Sequence, residues 1–275
     1  MNVDRFAARR AAFRKLHESG CFLIPNPWDA GSARALEKLG FKAQATTSSG
    51  FAWSHAKPDH TPDVEEVLAH CRGIVEATDL PVNADFEDGH ARDLDGLREN
   101  VRRCIDTGVA GLSIEDSTGD AAQPLYDFEE AVVRMRAARQ AIDASGADVM
   151  LVGRAECFLV GHPEPLNESI RRLCAYAEAG ADCLYAPGAG KPEDIRAIVD
   201  AVAPKPVNVL VGRAAPYTLE DFAKLGVRRI SVGGALAGAA WGGFLRAARG
   251  LADGRFDGFA DNAMHADLNA MFEDG

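Results

Sequence analysis

Eight short runs of apolar, strand-forming residues recur along the chain, each followed by a longer stretch with helical spacing. This alternation constrains the fold more than any other feature. The runs are CFLIPNP (21–27), AQATTSS (43–49), PVNADFE (81–87), GLSIED (111–116), DVMLVGRAE (148–156), DCLYAPG (182–188), PVNVLVG (206–212) and RISVGG (229–234). Most are continuously apolar, as parallel strands buried on both faces should be. Between them, Leu166, Ile170, Leu173, Cys174 and Ala177 mark one helix face, and Phe128, Val132, Met135 and Ile142 another. Gly40, Gly108, Gly180 and Gly226 each precede a new run and read as helix stops, while Thr61-Pro62 reads as an N-cap with proline at N1. Eight such units with right-handed crossovers close as an α/β protein of the (β/α)8 TIM-barrel type. Periodicity alone leaves an open, doubly wound sheet as the alternative.

The chain has 275 residues, 47% of them hydrophobic, enough for one barrel of roughly 200–250 residues. We read a single domain over 1–275, with the barrel at about 20–234 and C-terminal helices at about 235–275. The start, with Phe6, Phe13 and Leu16 available to one side, reads as an amphipathic helix rather than a secretory signal. The tail ALAGAAWGGFLRAARGLADG, followed by FADNAMHADLNAMFEDG, holds more apolar helix than a last barrel unit needs. It could cover the barrel bottom or pack on another subunit. A net charge of −11 leaves no basic face for nucleic acid or an anionic membrane. No apolar run approaches the ~20 residues of a bilayer span. Six scattered cysteines without a C-x-x-C pair suit reduced thiols and a cytoplasmic location.

In a parallel barrel the chemistry sits where strands end. The third run ends Asn83-Ala84-Asp85-Phe86-Glu87-Asp88, the fourth Glu115-Asp116 and the fifth Arg154-Ala155-Glu156. Alternation along the third puts Asn83, Asp85 and Glu87 on one face. If that face points inward, Asp85 and Glu87 converge with Glu115, and a cluster of carboxylates calls for a cation. Oxygen ligands with no His or Cys nearby suit Mg²⁺ or Mn²⁺ rather than Zn²⁺. Asp88 and Asp116 serve equally well as caps or loop groups. Arg154, inside a buried run, needs an anion: either a ligand carboxylate or phosphate, or an ion pair with Glu156, Glu115 or Asp85. Ser49-Gly50 follows a strand and could offer backbone N–H groups to an oxyanion. Trp28 packs the mouth or touches the ligand. His55, His60 and His90 lie near the mouth but make no coherent base.

Taken in order, these strand ends resemble the isocitrate lyase/phosphoenolpyruvate mutase superfamily. The matching stretches are NPWDAGSARALEKLGFKAQATTSSG, PDH (58–60), PVNADFEDG, GVAGLSIEDS, VGRAECF, GADCLYAPG and LGVRRISVGGALAGAAWGGF, which together span nearly the whole chain. The resemblance implies Mg²⁺-dependent chemistry on small 2-oxo acids or dicarboxylates through a stabilised enolate. It also implies a homotetramer or dimer that exchanges C-terminal helices. By position it implies Asp85, Glu87 and Glu115 as the metal shell and Asp59 as a catalytic carboxylate on the loop after the second strand. Ser49 and Gly50 would cradle the substrate, and Arg154 would clamp it. Three departures stand out. The family's Asp-x-Asp is here Asp85-Phe86-Glu87. The loop STGDAAQP (117–124) lacks the Cys, Lys and His of isocitrate and methylisocitrate lyases. Ser117 stands where mutases carry Lys.

The reading that best survives these departures is a carbon–carbon lyase or decarboxylase for a 2-oxo dicarboxylate, since β-decarboxylation needs little general acid. The alternatives are a 2-oxo acid binding protein of the same fold, a phosphonopyruvate-type mutase or hydrolase, and an unrelated phosphate-binding barrel built on Ser231-Val232-Gly233-Gly234.

Overall fold

The computed structural model describes residues 6–273. Eight strands form one all-parallel sheet: β1 (Phe22–Ile24), β2 (Gln44–Ala45), β3 (Val82–Asp85), β4 (Gly111–Glu115), β5 (Met150–Arg154), β6 (Cys183–Tyr185), β7 (Val207–Leu210) and β8 (Arg229–Ser231). Each lies inside one of the eight apolar runs. The order β1-β8-β7-β6-β5-β4-β3-β2 leaves β1 and β2 as the two edges of a nearly closed barrel. The seam is drawn together where Ala45 N–H donates to Pro25 O at 3.1 Å and Asn26 Nδ2 donates to Thr46 O at 2.9 Å. The Asn26 carbonyl oxygen in turn accepts from Val232 and Gly233 N–H, so one buried asparagine pins three strand ends. This excludes the open doubly wound sheet.

The helices in order are α1 (Ala7–Leu16), α2 (Ala30–Lys38), α3 (Ser48–Ser54), α4 (Val64–Ala77), α5 (Leu94–Asp106), α6 (Phe128–Ser145), α7 (Pro165–Glu178), α8 (Pro192–Val202), α9 (Leu219–Lys224), α10 (Ala235–Ala252) and α11 (His265–Phe272). Outward-facing Ala84, Leu112, Leu151, Leu184, Val209 and Ile230 build the main core against this helical layer. The four glycine stops are left-handed, with φ between 86° and 104°, where a side chain would be strained. The cap expected at Thr61-Pro62 falls instead on Asp63, whose carboxylate accepts from Glu66 N–H while Glu66 accepts from Asp63 N–H. That reciprocal box satisfies two end donors and outcompetes a lone threonine.

The barrel bottom is covered by α1, not by the C-terminal extension. Phe13 is fully buried among Ile24, Ala43, Ala45, Ala110 and Met150, and the Arg10 side chain donates to Val109 O and Ile105 O. The C-terminal helices instead leave Trp241, Phe244, Leu251, Met264, Leu268 and Phe272 exposed. Among the described residues no helix is long and apolar enough to cross a membrane, and the six cysteines are free.

From α1, His17 reaches into the barrel. Its Nδ1 lies 2.8 Å from Phe13 O, which can only accept, so Nε2 carries the lone pair that faces Arg229 Nη1 at 3.4 Å. Burial, then the Arg229 charge, holds its pKa down to about 3. The unfolded chain takes up this proton near pH 6.5 and the folded chain refuses it, so stability is full above about 6.5 and falls as pH drops toward 3. His70, pushed down to about 4 by burial, adds to the same loss. Urea unfolding from pH 4 to 7 should show His17→Gln lowering the slope of stability against pH by about 1.4 kcal/mol per pH unit below 6. An unchanged slope would place the proton elsewhere.

Candidate active site

The C-terminal strand ends bring the predicted acidic residues together around Arg154. Its Nη1 lies 3.1 Å from Asp85 Oδ1 and 3.0 Å from Glu115 Oε2, and its Nε donates to Glu156. Asp85 and Glu115 therefore share one guanidinium nitrogen. Arg154 also lies over the Tyr185 ring, 5.4 Å from its centroid. Of the two roles left open for Arg154, the ion pairs are present with all three named carboxylates.

Asp85 is fixed from the neighbouring strand. Its Oδ2 accepts from Ser48 N–H at 3.1 Å, and its own N–H donates to Thr46 Oγ1 at 2.8 Å. The predicted alternation holds for Asn83 and Asp85, which both line the mouth cavity of about 160 Å³. It fails at Glu87, because β3 ends at Asp85 and Glu87 adopts a φ of 47°, a left-handed conformation that non-glycine residues rarely take. The turn carries Glu87 beside Glu115 in a second cavity of about 240 Å³, lined also by Ser117, Thr118 and Gly119. Pairing of Glu115 N–H with Glu87 O at 2.9 Å fixes the two residues in register.

A histidine does join the carboxylates, contrary to the all-oxygen expectation. The loop after α3 turns back through left-handed Ala56 and His60. There His60 Nδ1 lies 3.2 Å from Glu87 Oε2, and Asp59, His60 and Glu87 offer ligand atoms within 4.8 Å of one another. The Glu87 hydrogen bond pushes the His60 pKa up to about 9. Asp59 lines the mouth cavity, as expected of a residue acting there.

Among the described residues, the group whose ligand atoms lie close enough to share one divalent cation is Asp59, His60 and Glu87, while Asp85 and Glu115 both lie on Arg154. Glu115 is buried, and its Oε2 lies near Arg154 yet has no hydrogen-bond partner of acceptable geometry. Burial raises its pKa well above the carboxylate range; Arg154 opposes this, while Glu156, Asp85 and Glu87 reinforce it. A dication held nearby would relieve both the orphaned oxygen and the crowded negative charge.

Other predicted residues land differently. Ser49 lines the mouth, but Gly50 is buried beneath it. The Gly50 N–H faces the Thr47 cap at 3.4 Å, and a Cβ there would meet Trp28 and Ala237. Trp28 lines a separate cavity with Asp29, Phe51 and His70, outside the mouth. Asp88 takes its structural role, accepting from Tyr126 Oη at 2.8 Å. Asp116 does the same with Tyr176, Arg172 and Glu156 N–H. The sequence reading missed Arg229, Asn208 and Tyr185, which also line the mouth. For Arg229 the signal was available: in β8 the outward Ile230 forces its neighbour Arg229 inward.

Residues 13–252 match the family model for phosphoenolpyruvate phosphomutase. A solved structure of a candidate lyase/mutase from Burkholderia cenocepacia J2315 superposes with a TM-score of 0.94 at 44% identity, covering 97% of each chain. Oxaloacetate acetylhydrolase, solved with the product oxalate, superposes with a TM-score of 0.86 at 25% identity, covering 97% of this chain and 94% of its own. The oxaloacetate decarboxylase of Paraburkholderia xenovorans is 29% identical over 231 residues, 81% of this chain and 74% of the relative. With its barrel and its strand-end acids, the chain belongs to the phosphoenolpyruvate mutase/isocitrate lyase superfamily.

Proposed function

We propose that the chain is a Mg²⁺-dependent carbon–carbon lyase or decarboxylase acting on a small 2-oxo dicarboxylate such as oxaloacetate or a branched relative. The relatives described above that are named for a reaction are named for oxaloacetate, and the chain is a lyase of their superfamily, which supports this reading. The observation that carries the reading is the buried, incompletely partnered Glu115 beside Asp85 and Glu87 at the barrel mouth. Asp85, Glu87 and Glu115 would hold the metal, with Mn²⁺ able to replace Mg²⁺. The bound ion would draw electron density from the oxygens of a 2-oxo acid.

The chain's own residues do the rest. Ser48 N–H and Arg154 hold the Asp85 carboxylate in one orientation from two sides. Ser49 and Asp59 border the space where the acid lies, and about 160 Å³ suits a molecule of a few carbons rather than a larger ligand. The loop over 117–124 ties to itself through the Ser117–Leu125 bridge and Thr118 N–H to Pro124 O at 3.1 Å. It brings no thiol or ammonium group to the mouth, which favours a reaction in which carbon dioxide departs and the enolate left behind takes its proton from water. The exposed apolar residues of α10 and α11 support a dimer or helix-exchanged tetramer, which light scattering on the purified protein checks.

With Mg²⁺ and oxaloacetate, purified protein should form pyruvate faster than the same concentration of free Mg²⁺ does. No rate above that background, across a panel of 2-oxo acids and 2-hydroxy dicarboxylates, would retire the reading.

A further inference from the structure

The mouth cavity is bordered by two arginines in opposite electrostatic situations. Arg154 is ringed by Asp85, Glu115 and Glu156 and has no charge to spare. Arg229 is 3% exposed, and among the described residues no carboxylate lies within ion-pair distance of it. Its partners are all neutral: Asn208 Oδ1 accepts from Nε at 2.8 Å, Asn83 Oδ1 from Nη1 at 3.3 Å, and His17 Nε2 faces Nη1 at 3.4 Å. Its Nη2 meets no acceptor among the described residues. A buried guanidinium that keeps its charge needs an anion to offset its lost hydration. Glutamine could have donated to the same amides, so the charge and the forked geometry are what distinguish arginine here.

We propose that Arg229 receives a substrate carboxylate at the floor of the mouth cavity, so that it selects dicarboxylates over monocarboxylates. Asn208 holds the guanidinium from one side and is itself fixed by donating to Ser231 Oγ at 3.0 Å, and both residues border the same floor. The acid enters with one end toward the acidic cluster and the other toward Arg229, and only a molecule charged at both ends uses both. The inference rests on the proposed function for the identity of the ligand, and on Arg229 alone for the selectivity.

The test is calorimetric binding in Mg²⁺ of malate and 2-hydroxybutyrate, which differ only in the distal carboxylate. Wild-type protein should favour malate by roughly 30-fold, the scale of a hydrogen-bonded charge pair. Arg229→Gln should remove that preference while 2-hydroxybutyrate binding stays within about threefold of wild type. Arg229→Lys, which keeps the charge without the fork and serves should the glutamine variant not fold, should weaken malate about fivefold and leave 2-hydroxybutyrate alone. Loss of both ligands in equal measure, or an unchanged ratio, gives Arg229 a purely structural role and overturns the proposal. Wild-type protein that binds malate without preference overturns this inference alone. Wild-type protein that binds neither ligand and turns over no oxaloacetate overturns the functional reading with it.

Discussion

Replacing Asp85 by Ala is expected to lower turnover of the 2-oxo acid by roughly 10³-fold or more, on the scale of losing a principal charge-stabilising group. The fold should survive. Asp85 sits at the end of β3, and without it Arg154 still has Glu115 and Glu156, so no charge is stranded. Ser48 N–H loses its acceptor at the cavity edge, where water can replace it. The change should therefore appear in turnover and in Mn²⁺ affinity, with the melting temperature moving by only a few degrees. Asp85→Asn sharpens the measurement, because it keeps an oxygen for Ser48 N–H and removes only the charge. Loss in both variants assigns the effect to the negative charge. Full activity in the alanine variant would show that the site has been misplaced.

How much of this could be read from the sequence depends on which physical rule governed each residue. Strand positions obey burial on both faces, and all eight apolar runs contain a strand. The convergence of Asp85 and Glu115 followed from the same rule, since barrel geometry brings inward residues of adjacent strands together. Glu87 escaped it because the residue lies past the strand end, where backbone twist rather than pleat sets direction. His60 escaped because a loop placed it, through a left-handed turn that nothing in PDHTPD requires. Trp28 and Gly50 were read as facing the mouth, yet Trp28 lines a separate cavity and packs close to Gly50, where the absence of a side chain also admits Ala237 of α10. Arg229 was legible from alternation alone, but an arginine inside a barrel is counted only once its neighbours are known to be neutral.

Asp116→Ala should be the most destabilising single change near the site, by about 3–4 kcal/mol, the cost of orphaning several buried partners of one carboxylate. Asp116 is 2% exposed. Its Oδ1 accepts from Glu156 N–H at 2.8 Å, and its Oδ2 accepts from Tyr176 Oη at 2.6 Å and Arg172 Nη1 at 3.0 Å. Truncation leaves the Tyr176 hydroxyl and the Glu156 N–H without acceptors in a sealed space. Arg172 keeps Glu168 at 2.7 Å and Tyr126 O at 3.0 Å, which holds the loss below that of a fully stranded charge. Asn at this position keeps acceptors for two of the three donors and should lose about half as much. Asp120→Ala, on the exposed loop, should change stability by less than about 0.5 kcal/mol and serves as the control. Urea unfolding of the three variants would decide the ranking. If Asp116→Ala unfolds no more easily than Asp120→Ala, the carboxylate does not anchor α7 to β4, and it would then be free to act with Glu115 at the mouth.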